Sequence, residues 1–304
     1  APDQWAWDKQ PRMTDPERVV DFVIDKIDNN ADTKEHFLRL MAGGTTVEEI
    51  VNTDPNDLRS LFLAFGGVDL ASVRKDTALD FLSSLRKAKL AKQLGHDRTS
   101  VIEYGVAGGR GLIILEEYAD EIKKILGIQI DVYGFDLGSG LPKPKDFRDL
   151  PYHWKEGFFL MDETKLRSKL KNAKLVIGNI EDTSKNFFSK YNPSPIGAIV
   201  HDFDFYSSTK IALSMLKADT KFFLPRIYCF FDDTIGSEIE LFNDFTGERL
   251  AINEFNLENK DIKFSKPYHL LTPGSEIWHH QIWICHLFKH EKYNTFISET
   301  DQQL

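Results

Sequence analysis

Cysteine is nearly absent. The 304-residue chain holds two, Cys229 and Cys285, each inside an apolar run, I-Y-C-F-F and I-W-I-C-H-L-F. Two cysteines exclude a disulfide framework and a thiolate zinc cluster, and their setting reads as buried reduced thiols in a cytoplasmic protein. Positive charge is also short, with 38 Lys and Arg against 47 Asp and Glu, a net charge of -9 and a pI near 5.5. Nucleic acid and anionic membrane surfaces would each want a basic face, so neither is an expected partner. No apolar run approaches the length needed to span a bilayer, and the opening A-P-D-Q-W-A-W-D lacks the basic and apolar regions of a secretory signal. Internal repeats, low-complexity segments and long linkers are missing too. So is the G-x-G-x-x-G of dinucleotide-binding folds, because Ala107 stands where its second glycine would be.

What remains is ordinary globular composition, 41% hydrophobic and 28% charged, organised around S-V-I-E-Y-G-V-A-G-G-R-G-L-I-I-L from Ser100 to Leu115. Val101 and Ile102 read as a buried strand, Gly105 to Gly111 as a tight turn, and Leu112, Ile113, Leu115, Ile122 and Ile125 as one face of a helix. Glycines at 105, 108, 109 and 111 would let backbone approach a ligand, and Glu103 puts a carboxylate at the strand's carboxyl end, where open α/β sheets bind. The pattern E-x-G-x-x-G-G-x-G resembles the first motif of class I S-adenosylmethionine-dependent methyltransferases, in which glycine backbone borders the methionine part of the cofactor. A tight strand-to-helix connection with no ligand has the same grammar.

Residues 1–99 read as helical. Thr14 and Glu17 form a capping box ahead of Val20, Val23, Ile24 and Ile27, shorter helices follow, and a longer pattern runs to about Leu94. This region is expected to be a helical cap, an element for homo-oligomer formation, or packing on the sheet's outer face. From residue 100 to 304 strands and helices alternate. Strands are expected at 101–106, 130–136, 175–180, 196–202 and 227–233, with helices at 111–126, 162–171, 183–190, 207–217 and 236–247. The end differs: I-K-F-S-K-P-Y-H-L, a turn at Pro273-Gly274-Ser275, then Q-I-W-I-C-H-L-F. The fold class is therefore α/β, a doubly wound, mostly parallel seven-stranded sheet closed by a C-terminal antiparallel hairpin, with an N-terminal helical region. The segment from Gly140 to Trp154 is a surface loop placed to cover a site.

The strand ends collect acids. Asp136 closes the second strand, placed to accept both hydroxyls of a ribose. The third ends in G-N-I-E-D-T, putting Asn179 and Ile180 beside an adenine ring. H-D-F-D-F-Y-S-S-T places Asp202 and Asp204 after the fourth, and F-F-D-D-T places Asp232 and Asp233 after the fifth. Carboxylates so crowded repel one another unless a hard divalent cation, magnesium, manganese or calcium, lies among them. The alternative is that Asp204 or Asp233 caps the helix that follows. Asp204 and His201 are the candidate proton acceptors, and His201 reads equally well as scaffold.

Five motifs in register, I-E-Y-G-V-A-G-G-R-G, F-D-L-G-S-G-L-P, G-N-I-E-D-T, H-D-F-D-F-Y-S-S-T and F-F-D-D, span about Val101 to Asn256 and resemble the macrocin O-methyltransferase family, a metal-dependent class I branch that methylates antibiotic sugars. The resemblance implies S-adenosylmethionine held by Glu103, Gly105 and Asp136, with Ala107, Gly108, Asn179 and Ile180 at its border, and magnesium held by Asp202, Asp232 and Asp233. It implies methyl transfer to a hydroxyl of a sugar, polyol or catechol-like small molecule. The chain departs from its relatives at Gly111, where a serine is usual and Arg110 would have to substitute, and at Phe203 and Phe205 beside the first aspartate. In place of a glycine pair it has Leu224-Pro225-Arg226. These departures leave a non-catalytic binder of the same cofactor as one alternative; a nicotinamide oxidoreductase is another.

Overall fold

The computed structural model describes Ala88 and residues 90–297 except 272–276. All of these belong to one compact unit, Leu79–Leu304. The expected helices of residues 1–87, with the oligomer element assigned to them, lie outside the described residues, and so does the turn at Pro273. Among the described residues no helix is long and apolar enough to cross a membrane.

In chain order the elements are β1 (Arg98–Tyr104), α1 (Arg110–Leu126), β2 (Gln129–Asp136), α2 (Glu163–Arg167), β3 (Lys174–Ile177), α3 (Ile180–Tyr191), β4 (Ile196–His201), α4 (Tyr206–Ser214), β5 (Phe223–Phe231), α5 (Gly247–Glu258), β6 (Ile262–Ser265) and β7 (Ile282–Leu287). The strands form one seven-stranded sheet in the order β3-β2-β1-β4-β5-β7-β6. The first five are parallel, and β7 runs antiparallel to both β5 and β6. The α/β class and the closing antiparallel pair are therefore as the sequence indicates.

Alternation along the strands fills two cores, one on each face of the sheet. Ile102, Tyr104, Tyr133, Phe135, Ile227, Cys229 and Phe231 belong to one, with Cys285. Val101, Val132 and Tyr228 belong to the other, against Leu112 and Leu115 of α1. Both cysteines are free and buried.

One expected element is displaced. No helix occupies 236–247; the chain there runs through turns, and the helix starts at Gly247 instead. Leu241 has a left-handed φ of 53°, which interrupts a helix, whereas Ala251, Ile252 and Phe255 recur on one buried side of α5. Helix 162–171 also shortens to Glu163–Arg167, begun by Asp162, whose side chain accepts from the Lys165 N–H.

Candidate active site

Sheet register brings the site together. Phe135 pairs with Tyr104, Tyr104 with His201, and His201 with Phe231, so four neighbouring strands end on one row. The next residue on each is Asp136, Gly105, Asp202 or Asp232. Three of the four carry a carboxylate, and the fourth begins the glycine turn.

Gly105 is the hinge between β1 and β4. Its φ is +80°, its N–H donates to the Phe135 carbonyl at 2.9 Å, and a Cβ there would overlap the Asp202 carbonyl oxygen. Only glycine lets the two strand ends lie this close. Gly111 is fixed by the same crowding: a Cβ at this position would overlap Oε1 of buried Glu103. The carboxylate occupies the space that a serine would need. Ahead of Gly108, by contrast, nothing lies within 4 Å, so the turn faces open space there. Ala107 takes a left-handed φ of 45°, and Arg110 is exposed at the start of α1.

Asp136 is more occupied than its position in the sequence indicates. Oδ2 accepts from the N–H groups of Val106 and Ala107, both at 2.9 Å, and Oδ1 from Gly138 at 2.6 Å. An ionised carboxylate has about four acceptor sites. The free capacity suits one ribose hydroxyl rather than both. Asn179 caps α3, its side-chain oxygen accepting from the Glu181 N–H at 2.9 Å, and Ile180 packs into the core with Phe187. Asn179 is exposed at the end of β3, and Ile180, next in the chain, is buried.

The acids after β4 and β5 do converge, in a changed combination. Asp202, Asp204 and Asp233 can each bring a carboxylate oxygen within 4.8 Å of the others. Asp232 is not in that group; it is exposed, and the Gln281 side-chain amide donates to its backbone oxygen at 2.7 Å. The capping alternative fails for Asp204, because α4 begins without a side-chain cap. Instead Asp204 stands in left-handed backbone, φ 57°, its N–H donating to Oδ2 of Asp233 at 3.0 Å. Strain of this kind collects where surrounding structure enforces a geometry. Burial first, then neighbouring carboxylates, pushes the pKa of Asp204 and of Asp233 well above the ordinary range.

Sequence reasoning missed Glu248. It lies in the first turn of α5, fully buried, and its Oε2 accepts from the Asp233 N–H at 3.1 Å. Burial, then Asp233, Asp202 and Asp232, raises its pKa as well. With the helix expected to end at 247, nothing marked residue 248; the G-x-x-x-A-x-x-x-F spacing from Gly247 to Phe255 was the available signal.

His201 is a correction. Its ring is fully buried and stacks on Phe231 with centroids 4.1 Å apart and planes 3° apart, next to Tyr104. Burial pulls its pKa down to about 3. The register that pairs His201 with Phe231 turns the ring into the core, where no acceptor hydroxyl can reach it. Between pH about 6.5 and 3 the unfolded chain binds a proton that this folded ring refuses, so stability falls as pH falls through that window, by up to about 1.4 kcal/mol per pH unit. His201→Phe is expected to flatten the dependence of the urea midpoint on pH between 6 and 4. An unchanged slope would mean that the ring is protonated in the fold.

Two loops, 141–160 and 235–246, are tied to the start of α4 and to each other. Asp149 fixes the first, accepting from the backbone N–H (2.9 Å) and hydroxyl (3.0 Å) of Ser207 at the start of α4. The Tyr152 hydroxyl donates to the Glu240 carbonyl at 2.6 Å and ties it to the second, 235–246. Phe147, Phe159, Leu160, Ile239, Leu241 and Phe245 are exposed along them.

No protein-family model matches the chain, and no curated protein does. Among solved structures, the calicheamicin methyltransferase CalS11 is similar at 16% identity and a TM-score of 0.50, over 84% of this chain and 91% of that one. An apo structure of CalS11, described as a TDP-rhamnose 3'-O-methyltransferase, matches at 17% identity, TM-score 0.42, over 85% and 94%. The plantazolicin methyltransferase BpumL in complex with SAH matches at 13%, TM-score 0.35, over 89% and 98%. At such identities the likeness to CalS11 is one of fold: this chain shares the seven-stranded α/β architecture of a methyltransferase.

Proposed function

We propose that the chain is an S-adenosylmethionine-dependent O-methyltransferase that uses a divalent cation and acts on a hydroxyl of a small molecule. The observation that carries this reading is the shared row: a glycine turn closed on Glu103 stands one strand from a group of three carboxylates, all at the carboxyl edge of one sheet. The fold shared with CalS11 supports it. Open space ahead of Gly108 fits a cofactor lying against backbone, and a crowded oxygen-only donor set fits a hard cation, magnesium first.

Glu103 and the turn from Gly105 to Gly108 would hold the amino-acid end of the cofactor, and Asp136 one ribose hydroxyl. The cofactor supplies the electrophilic methyl group. Asp202 and Asp233, with Asp204 beside them, would hold the cation, which supplies positive charge against the acceptor oxygen. With His201 sealed in the core, Asp204 is the remaining group read from the sequence as a proton acceptor. The loops 141–160 and 235–246 would orient the acceptor and exclude water. A sugar, polyol or catechol-like acceptor in the cytoplasm is the substrate reading that goes with the resemblance.

Calorimetry decides among the alternatives. S-adenosylmethionine and magnesium should both bind, and NAD should not; NAD alone would favour an oxidoreductase, and cofactor binding with no cation or methyl transfer would favour a non-catalytic binder. Gly108→Ala sharpens the test, because the new methyl group meets no protein atom within 4 Å. Its stability should stay within about 0.5 kcal/mol of wild type, while cofactor affinity falls at least tenfold. Unchanged affinity would place the cofactor away from this turn.

A further inference from the structure

We infer that Glu248 is the positioning residue of the cation site, fixing Asp233 through its backbone and supplying a further buried carboxylate beside the three aspartates when a cation is bound. This rests on the cation reading above and extends it to a residue that no strand-end motif contains.

The first observation is geometric. Asp233 lies in a short turn after β5, and the pose of its carboxylate depends on the backbone that carries it. Two hydrogen bonds hold Asp233 itself: its Oδ2 accepts the Asp204 N–H at 3.0 Å, and its N–H donates to Oε2 of Glu248 at 3.1 Å. Glu248, Asp233 and Asp204 thus form a chain from α5 through β5 to the end of β4.

The second observation points to a ligand. Glu248 is 0% exposed, and its other oxygen, Oε1, is buried with no hydrogen-bond partner. A neutral glutamine would satisfy the Asp233 N–H equally well through its amide oxygen. A buried carboxyl group with one oxygen unmatched is costly to ionise unless positive charge comes near it. Its electrostatic neighbours are Asp233, Asp202 and Asp232, all acids, so the surrounding protein supplies no compensation from that side. Metal ligands commonly depend on such a supporting partner, whose loss costs about 10- to 100-fold in metal affinity. Close packing defines its place: a Cβ added at Gly247, one residue earlier, would lie 3.3 Å from the Leu150 side chain and 3.9 Å from the Asp204 carbonyl oxygen, so α5 begins beside Asp204.

The test is manganese binding to the full chain, followed by the paramagnetic resonance of free Mn²⁺, for wild type, Glu248→Gln and Glu248→Ala. Glu248→Gln keeps the shape and the bond to Asp233 and removes the charge. The inference requires it to weaken manganese binding about tenfold or more, with a metal-free melting temperature equal to or above that of wild type. Wild-type affinity in Glu248→Gln would reduce Glu248 to a backbone cap and overturn the inference, whatever Glu248→Ala does. If Glu248→Ala fails to fold, Glu248→Gln decides alone. A wild-type chain that binds no manganese would remove the cation reading itself, and this inference with it.

Discussion

Gly105→Ala is expected to cost the fold about 4 kcal/mol, or to leave no folded protein to measure. The conformation alone, φ +80°, costs a residue with a Cβ about 1–2 kcal/mol. The larger part is collision: the methyl carbon would overlap the Asp202 carbonyl oxygen, which is backbone and cannot rotate away. Relief requires β1 and β4 to part where the Asp202 N–H donates to the Tyr104 carbonyl at 2.9 Å. Urea unfolding of the purified variant, or its recovery in the soluble fraction if none can be purified, reads the effect. A loss below about 1 kcal/mol would mean that the two strand ends are farther apart than described. Gly108→Ala is the matched control, since the same substitution three residues later meets open space.

Asp202→Asn is expected to lower manganese or magnesium affinity on the order of 100-fold, because a neutral amide replaces one charged ligand of a site built from few. Asp232→Asn should have a clearly smaller effect. The sequence ranks the two aspartates together, and the structure separates them: Asp202 lies with Asp204 and Asp233, while the Gln281 amide donates to both the backbone oxygen (2.7 Å) and Oδ1 (3.3 Å) of Asp232. Calorimetric titration of both variants with magnesium distinguishes these arrangements, and cofactor titration of the same samples checks that the glycine turn is undisturbed. Equal losses in the two variants would return Asp232 to the ligand set in place of Asp204.

Much of the fold was legible because each of the five parallel strands is apolar and closed by a glycine or an acid. β1, β2 and β4 begin or end within a few residues of where the pattern puts them, and α1 starts at Arg110, one residue before the expected start. What misled was local. The stretch 236–247 has helix-like apolar spacing at Ile239 and Phe242, but its backbone turns left-handed at Leu241 and its apolar side chains at 239, 241 and 245 face solvent. Periodicity describes which residues could share a face; it does not say whether a core is there to receive it. That displacement hid Glu248. His201 was ambiguous for another reason: a residue at a strand end points to one face or the other according to register, and register is a property of pairs of strands. Pairing with Phe231 decided it. Asp136 shows a further limit, since its three backbone donors come from the turn thirty residues earlier and from Gly138, contacts that no spacing rule reveals.

The most direct test is a crystal structure of the full chain grown with S-adenosylhomocysteine and manganese. The expected result is density for the methionine portion against the backbone at Gly108, one ribose hydroxyl at Asp136, and an anomalous manganese peak among Asp202, Asp204 and Asp233. Nucleoside density elsewhere on the sheet, or a manganese peak that none of these three aspartates touches, would contradict the account.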